Sequence, residues 1–317
     1  MPSQLSFIKH RHTAEVERMS YEQFLDGYAA KVGLPNKEIL LADHRERYKF
    51  AITNRERGRS LVERLSNHGI KIKGAKVLDV GCAYGGNTIE MMHAGATAVG
   101  IDIDEKWLKL AEENARGECS PTLYLCDAST RAARSRLQPH GPFDLVIVND
   151  VFEHIFDTAG LLENISSLMA PGGKLFFAVP NGLAPRFVLS EGHKKVFGIS
   201  LLAPDYWSHF VKTPFHVYYR RWEYFAALFE KYGFNVELFD AIQDVDDAWT
   251  RRKLGQGIRE ITAEREKQRY EGHQALFIDR ALQAYFFELR QDVKSADWTT
   301  LKRKYRTTFW EGIITKR

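Results

Sequence analysis

The chain has 317 residues, 44% of them apolar and 27% charged, with a formal charge of +4. These totals suit a soluble globular protein built as one large domain or a domain with substantial additions. The charge is too small to imply nucleic acid by itself, no apolar run approaches the length of a membrane span, and the opening "MPSQLSFIKHRH" lacks the apolar core of a signal peptide. A cytoplasmic protein is expected.

Charge is unevenly spread. Residues 251 to 317 hold 16 Lys and Arg against 9 Asp and Glu, a net +7, which leaves −3 for the remainder. Such a tail can meet an acidic partner, an anionic membrane surface or nucleic acid, or simply present a solvated helical face. The three cysteines, Cys82, Cys119 and Cys126, are odd in number and lack metal-ligand spacing, so they read as thiols in a reducing compartment.

In chain order, residues 1 to 70 form an N-terminal helical segment. "VERMSYEQFLDGYAAKVG" and "RYKFAITNRERGRSLVERLSNHG" carry apolar residues at helical spacing, and Gly69 stops the second. From residue 76 short apolar runs alternate with helical stretches: "KVLDVG", "TAVGID", "TLYLCD", "FDLVIVND" and "GKLFFAVPN", with helices expected at 86–94, 104–115 and 158–169. Strand, helix, strand at this spacing predicts an α/β fold with a mostly parallel sheet covered on both faces. Pro171-Gly172-Gly173 is expected to close the helix before the fifth strand. A helix, "RRWEYFAALFEKYG", and a strand, "FNVELFDAI", end a second segment, 71–243. Residues 244–317 are a helical extension in which Ala275, Ile278, Leu282, Tyr285 and Leu289 mark one apolar face, and "GIITKR" is expected to pair as a last strand.

The stretch "VLDVGCAYGGNTIE" (77–90) decides what the sheet holds. A triphosphate loop would need Lys and then Ser or Thr after the last glycine, but Asn87 and Thr88 follow Gly86. The dinucleotide fingerprint fails too, because Ala83 stands where its second glycine belongs. Asp79, two residues before Gly81, would repel a pyrophosphate and welcome a ligand with a cationic end. The loop therefore suits a nucleoside such as S-adenosylmethionine. The next two strands also end in acids, "VGIDID" with Asp102 and "LYLCDAS" with Asp127. Ligands of open parallel sheets lie beyond the C-terminal strand ends, so these acids would share one crevice. Each could instead cap the following helix.

Taken together, "VLDVGCAYGG", "VGIDID", "CDAS", "FDLVIVNDVFEHI" and "LMAPGGKLFFAVPN" resemble the successive motifs of class I S-adenosylmethionine-dependent methyltransferases. The match covers about 72 to 182, more loosely to about 240. It implies a doubly wound, Rossmann-like, seven-stranded sheet with helical additions at the N-terminus, after strand 5 and near the C-terminus. It also implies an S-adenosylmethionine site built from Asp79, Gly81, Cys82, Ala83, Gly85, Asp102, Ile103, Asp127, Ala128 and Asn149. In it the Asp79 loop lies under the methionine moiety, Asp102 on the ribose and Asp127 on the adenine.

The acidic-x-x-Glu-His pattern in "NDVFEHIFD" is similar to ubiquinone-biosynthesis-type O-methyltransferases. Asp150, Glu153 and His154 would share the face of a helical turn. His154 is one candidate general base, with Asp150 beside it. The three could also surround a divalent metal, although no metal is expected. His216, in "TPFHVYYRRWEYF", is the preferred base. Residues 183–218 stand where members of this superfamily build a substrate lid, and Arg186, Lys194, Lys195 and Lys212 beside aromatic rings would suit an anionic ring or sugar. The expected activity is O-methylation of a small molecule or glycan. The alternatives are a nucleic-acid methyltransferase, which Asn149-Asp150-Val151-Phe152 disfavours by lacking the Asn/Asp-Pro-Pro-aromatic signature, and a non-catalytic scaffold.

Overall fold

The computed structural model describes residues 23–239 and 247–317. Seven strands, β1 (Lys76–Val80), β2 (Thr97–Asp102), β3 (Thr122–Leu125), β4 (Phe143–Asn149), β5 (Met169–Pro180), β6 (Phe234–Leu238) and β7 (Phe309–Lys316), make one sheet in the order β3-β2-β1-β4-β5-β7-β6. β1 runs parallel to β2 and to β4, with Asp79 opposite Gly100 and Ile147, and β2 runs parallel to β3, with Asp102 opposite Leu125. Bonds from Phe239 N to Glu311 O (2.8 Å) and from Arg317 N to Gly233 O (3.1 Å) make β7 antiparallel to β6. The doubly wound sheet expected from the sequence is therefore present, and "GIITKR" does pair within its last strand in chain order. The part of "FNVELFDAI" from residue 240 onward lies outside the described residues.

The first compact unit runs to Val148 and includes Glu163–Leu175 and Lys316. Its helices are α1 (23–31), α2 (Lys37–Asp43), α3 (Arg45–Ile52), α4 (Asn54–Asn67), α5 (Gly86–His93), α6 (Glu105–Ala115) and α7 (Arg131–Leu137). The start of the first expected helix falls outside the described residues. The second expected helix is broken at Thr53, whose hydroxyl donates to Lys49 O at 2.9 Å and so competes with the helical ladder. β1 buries Val77, Leu78 and Val80, as a strand covered on both faces must. α4 lies close against α5 because Gly58 and Gly86 face each other: a Cβ on Gly86 would sit 2.7 Å from Asn54 O. Phe24, Tyr28, Leu40, Ala51 and Leu110 form a core around Tyr84 of the glycine-bearing loop. α6 is capped by Asp104, which accepts from Lys106 N, and α7 by Thr130, which accepts from Ala133 N.

The second unit comprises Asn149–Leu162, Phe176–Thr315 and Arg317. After α8 (Thr158–Leu168), which straddles the division, come α9 (Pro185–Leu189), α10 (Trp222–Lys231), α11 (Asp247–Lys267), α12 (Gly272–Ser295) and α13 (Trp298–Leu301). Pro171-Gly172-Gly173 does not close α8: the helix ends at Leu168, and the three residues lie within β5, where Gly172 at φ +71 bends the start of the strand. The expected apolar face of α12 is real. Ile278, Leu282, Tyr285 and Leu289 pack with Leu254 and Ile261 of α11 and with Val188 and Phe197, each such burial contributing about 1.5–3 kcal/mol. Asn181, fully buried beyond β5, donates through its side chain to Lys304 O (2.9 Å) and Thr307 O (2.8 Å), fixing the turn that feeds β7.

Candidate active site

Three of the predicted site acids stand at neighbouring strand ends of the first unit. Asp79 is 2% exposed and accepts from Thr88 Oγ1 at 2.5 Å. The reach is short because Gly100, its partner on β2, has no side chain: a Cβ there would meet Thr88 Oγ1 and Cys82 Sγ, each at 3.0 Å. Burial pushes the Asp79 carboxyl up to about 7, against the Thr88 bonds that lower it. Gly81 (φ 68), Ala83 (φ 46) and Gly85 (φ 77) all take left-handed backbone, so Ala83 occupies a conformation that glycine would adopt without cost. Cys82 is buried, its N–H bonded to Ile101 O at 2.9 Å, and burial lifts its thiol well above the usual range.

Asp102 accepts from Ala83 N through Oδ2 and from Asp104 N through Oδ1, each at 3.0 Å. It therefore clasps the loop after β1, while Asp104 performs the capping of α6. Each carboxylate oxygen keeps a lone pair for a further donor. Desolvation raises its pKa, and the bonds from Asp104 and Ala83 act the other way. Ile103, next in the chain, is 76% exposed. Asp127 is exposed and accepts from Ser129 N (2.9 Å) and Ser129 Oγ (2.7 Å), a turn closure rather than a helix cap. Ala128 is buried, its carbonyl held by Asn164 Nδ2 at 3.0 Å.

In the second unit, Asn149 ends β4 half-buried and Asp150 follows at φ 55 with its N–H on Ala178 O at 3.0 Å. That left-handed residue breaks the expected helical turn. Only Phe152–His154 form a short 3-10 turn, so Asp150, Glu153 and His154 do not share a face: Glu153 is 2% exposed, the other two are exposed. Burial, then Asp150, raises the Glu153 carboxyl well above the ordinary range. Among the described residues no three His, Cys, Asp or Glu side chains are grouped to hold a metal ion. These three side chains do not form the donor set that the divalent-ion alternative needs.

His154 and His216 do come together, but as ring against backbone. His154 Nδ1 lies 3.1 Å from His216 O. A carbonyl only accepts, so Nδ1 carries the proton and Nε2 of the neutral ring is left as the basic nitrogen. Although one side of His154 is exposed, desolvation of its packed side and then the His193 ring, 4.9 Å away, lower its pKa. His193 in turn lies 3.4 Å from the fully buried Glu191. Burial would raise the Glu191 pKa, but the His193 ring and the backbone N–H groups of His193 and Lys194 hold it below the usual range. The His216 side chain is exposed.

A cavity of about 460 Å³ opens in the same unit, walled by Leu183, Leu202, Trp207, Tyr219, Arg220 and Tyr285 among others. The segment 183–218 thus does line a cavity while also supplying core. None of Arg186, Lys194, Lys195 and Lys212 contributes to its wall; Arg220 and Arg221 do. Those two were missed because "YYRRWEYF" reads as the start of α10. Their adjacency to two tyrosines was the available signal.

The family profile described as "Methyltransferase domain" matches residues 44–238, more than half of the chain. The chain belongs to the class I S-adenosylmethionine-dependent methyltransferases. The methyltransferase is 36% identical over 124 residues to a ubiquinone biosynthesis O-methyltransferase of Albidiferax ferrireducens, covering 39% of this chain and 48% of that protein. It is 34% identical over 129 residues to the enzyme of that name from Paracidovorax citrulli, covering 40% and 53%. The chain thus spans about half the length of the curated relatives it matches. A crystal structure of a putative S-adenosylmethionine dependent methyltransferase from Listeria monocytogenes aligns over 82% of this chain and 98% of that one, at 16% identity and a TM-score of 0.47. Among the described residues no helix is long and apolar enough to cross a membrane.

Proposed function

We propose that this methyltransferase moves the methyl group of S-adenosylmethionine to an oxygen of a small-molecule acceptor. The observation that carries the donor half is Asp102, 8% exposed at the end of β2, with both oxygens oriented by backbone N–H groups and one lone pair left on each. That is the acceptor geometry a pair of ribose hydroxyls needs. Exposed Ile103 offers an apolar face to the adenine, Asp127 and Ala128 its polar edge, and the loop of Gly81, Cys82, Ala83 and Gly85 over Asp79 would hold the methionine end. Asn149 is assigned to the same donor set on the resemblance. The printed names of the curated relatives support oxygen as the receiving atom.

Bound S-adenosylmethionine supplies a methyl group already activated by a positively charged sulfur. The chain's task is then to align the acceptor, exclude water and take one proton. His154 suits the last step best, because its Nδ1–H is fixed on His216 O and its lowered pKa leaves Nε2 unprotonated near neutrality. His193, itself held by Glu191, packs edge-on against that ring from one side. The cavity walled by Trp207, Tyr219, Arg220 and Tyr285 is the acceptor site in this reading. Its largely apolar wall suits a compact apolar body, so a glycan acceptor gains no support from it.

The test is calorimetry with S-adenosylhomocysteine, then product detection after incubation with methyl-labelled S-adenosylmethionine and a set of phenols and hydroxy acids. Saturable binding and a labelled methyl ether support the reading. Absence of cofactor binding by the folded chain refutes it.

A further inference from the structure

Arg220 and Arg221 both line the 460 Å³ cavity, but only one is neutralised. Arg221 forks onto Glu288 with bonds of 2.8 and 2.9 Å. Arg220 instead donates to two backbone carbonyls, Phe152 O at 3.4 Å and Phe156 O at 2.7 Å, and lies over the rings of Tyr218 and Tyr224 at 5.0 and 5.2 Å. Among the described residues it pairs with no carboxylate. Carbonyl dipoles and ring faces stabilise a guanidinium without cancelling its charge; the two carbonyls take two of its five N–H groups, and Tyr224 is a further side-chain hydrogen-bond partner.

Several other polar groups of the wall are already committed to the chain. Ser200 Oγ donates to Gly182 O at 2.8 Å, Trp207 Nε1 to Leu202 O at 3.2 Å and Tyr285 Oη to Leu183 O at 3.0 Å. No Asp or Glu contributes to the wall. The cavity therefore presents one uncompensated, half-buried cation to an otherwise apolar and aromatic surface. Desolvation works against that cation and lowers its pKa, with Tyr224 and Tyr218 acting the other way. A ligand anion would relieve the cost of leaving the charge unpaired.

We infer that Arg220 is the anchor of an anion subsite, and that the acceptor is an apolar or aromatic small molecule carrying a carboxylate. This deepens the acceptor reading of the cavity and rests on it. Recognition is by charge-assisted hydrogen bonds from the free N–H groups of Arg220, with the apolar body against Leu183, Leu202 and Trp207.

The probes are 2-naphthoate and its uncharged isostere 2-naphthamide, titrated by calorimetry into the full-length protein with and without saturating S-adenosylhomocysteine. Naphthoate should bind at least ~10-fold more tightly than naphthamide, and Arg220→Met should weaken naphthoate by ~10- to 150-fold, the span for a lost hydrogen bond to a charged group. Naphthamide affinity should change little in that variant. Arg220→Lys, which keeps the charge but not the fork, should fall between. Because Arg220 also ties down the Phe152 and Phe156 carbonyls, Ala284→Trp serves as a second variant: it fills the cavity and should abolish naphthoate binding without touching the arginine. Equal affinity for acid and amide, or naphthoate binding indifferent to both Arg220→Met and Ala284→Trp, overturns the anion subsite even if the protein binds S-adenosylhomocysteine. Arg220-dependent naphthoate binding without any cofactor binding would uphold the subsite and defeat the methyl-transfer reading instead.

Discussion

The Ala83 N–H donates to Asp102 Oδ2 at 3.0 Å, so the loop after β1 is latched to the acid that ends β2. One carboxylate thereby both shapes the loop and, in the proposed function, receives the ribose. Asp102→Ala should weaken S-adenosylmethionine and S-adenosylhomocysteine alike by ~10- to 150-fold, the cost of hydrogen bonds to a charged group. The neutral product is affected as much as the cation because the ribose is common to both. Calorimetry giving an unchanged dissociation constant would end the ribose assignment.

Asp79 predicts a pH dependence of stability. Burial lifts its carboxyl to about 7, above the ~3.9 of an unfolded chain. Between those values the native state holds a proton that the unfolded chain has lost, so this group's contribution falls as pH rises from about 4 to about 7 and then levels off. Asp79→Asn removes the slope. The stability of the variant relative to wild type, measured by denaturant unfolding, should rise on the order of 4 kcal/mol between pH 4 and pH 8. A difference constant with pH would contradict the buried, proton-holding carboxyl.

Packing of α4 on α5 predicts a second stability effect. A Cβ on Gly86 meets Asn54 O at 2.7 Å, and one on Gly58 meets Gly86 O at 2.5 Å; both obstacles are backbone. Gly86→Ala or Gly58→Ala should cost about 1–3 kcal/mol through overpacking, lowering Tm by several degrees. Thermal unfolding with no loss in either variant would show that the two helices separate freely.

Much of the fold was legible because it rests on local signals. Buried strands announce themselves as apolar runs, and the acids at their ends follow at fixed chain positions, so β1 to β5 and Asp79, Asp102 and Asp127 could be read directly. What failed depended on contacts between distant segments or on single backbone angles. The turn at 150–154 looked helical by spacing, but Asp150 at φ 55 redirects the chain before a helix can start. The cations of the cavity were sought beside the lid aromatics in sequence, whereas Arg220 and Arg221 reach it with Ala281, Ala284 and Tyr285 from about 60 residues later. The mutual fit of Gly58 and Gly86 is equally silent in sequence, since a glycine in a helix signals only a weakness until its neighbour is known.

The last prediction sets His154 against His216 as the base. Both belong to one contact, but the contact uses the ring of His154 and only the backbone carbonyl of His216. Replacing the His216 side chain leaves that carbonyl in place, so His216→Ala should retain most of the turnover. His154→Ala should lower kcat by roughly 100- to 10,000-fold, the usual contribution of a positioned base, with S-adenosylhomocysteine affinity nearly unchanged. Because desolvation and His193 lower the His154 pKa, the acid limb of the kcat profile should have its midpoint below the ~6.5 of a free imidazole. Protonation below that point removes the base, so activity rises with pH and then reaches a plateau. EDTA should leave the rate unchanged, because Asp150, Glu153 and His154 do not gather as a ligand set. Full activity in His154→Ala, with loss in His216→Ala, would transfer the role to the lid histidine.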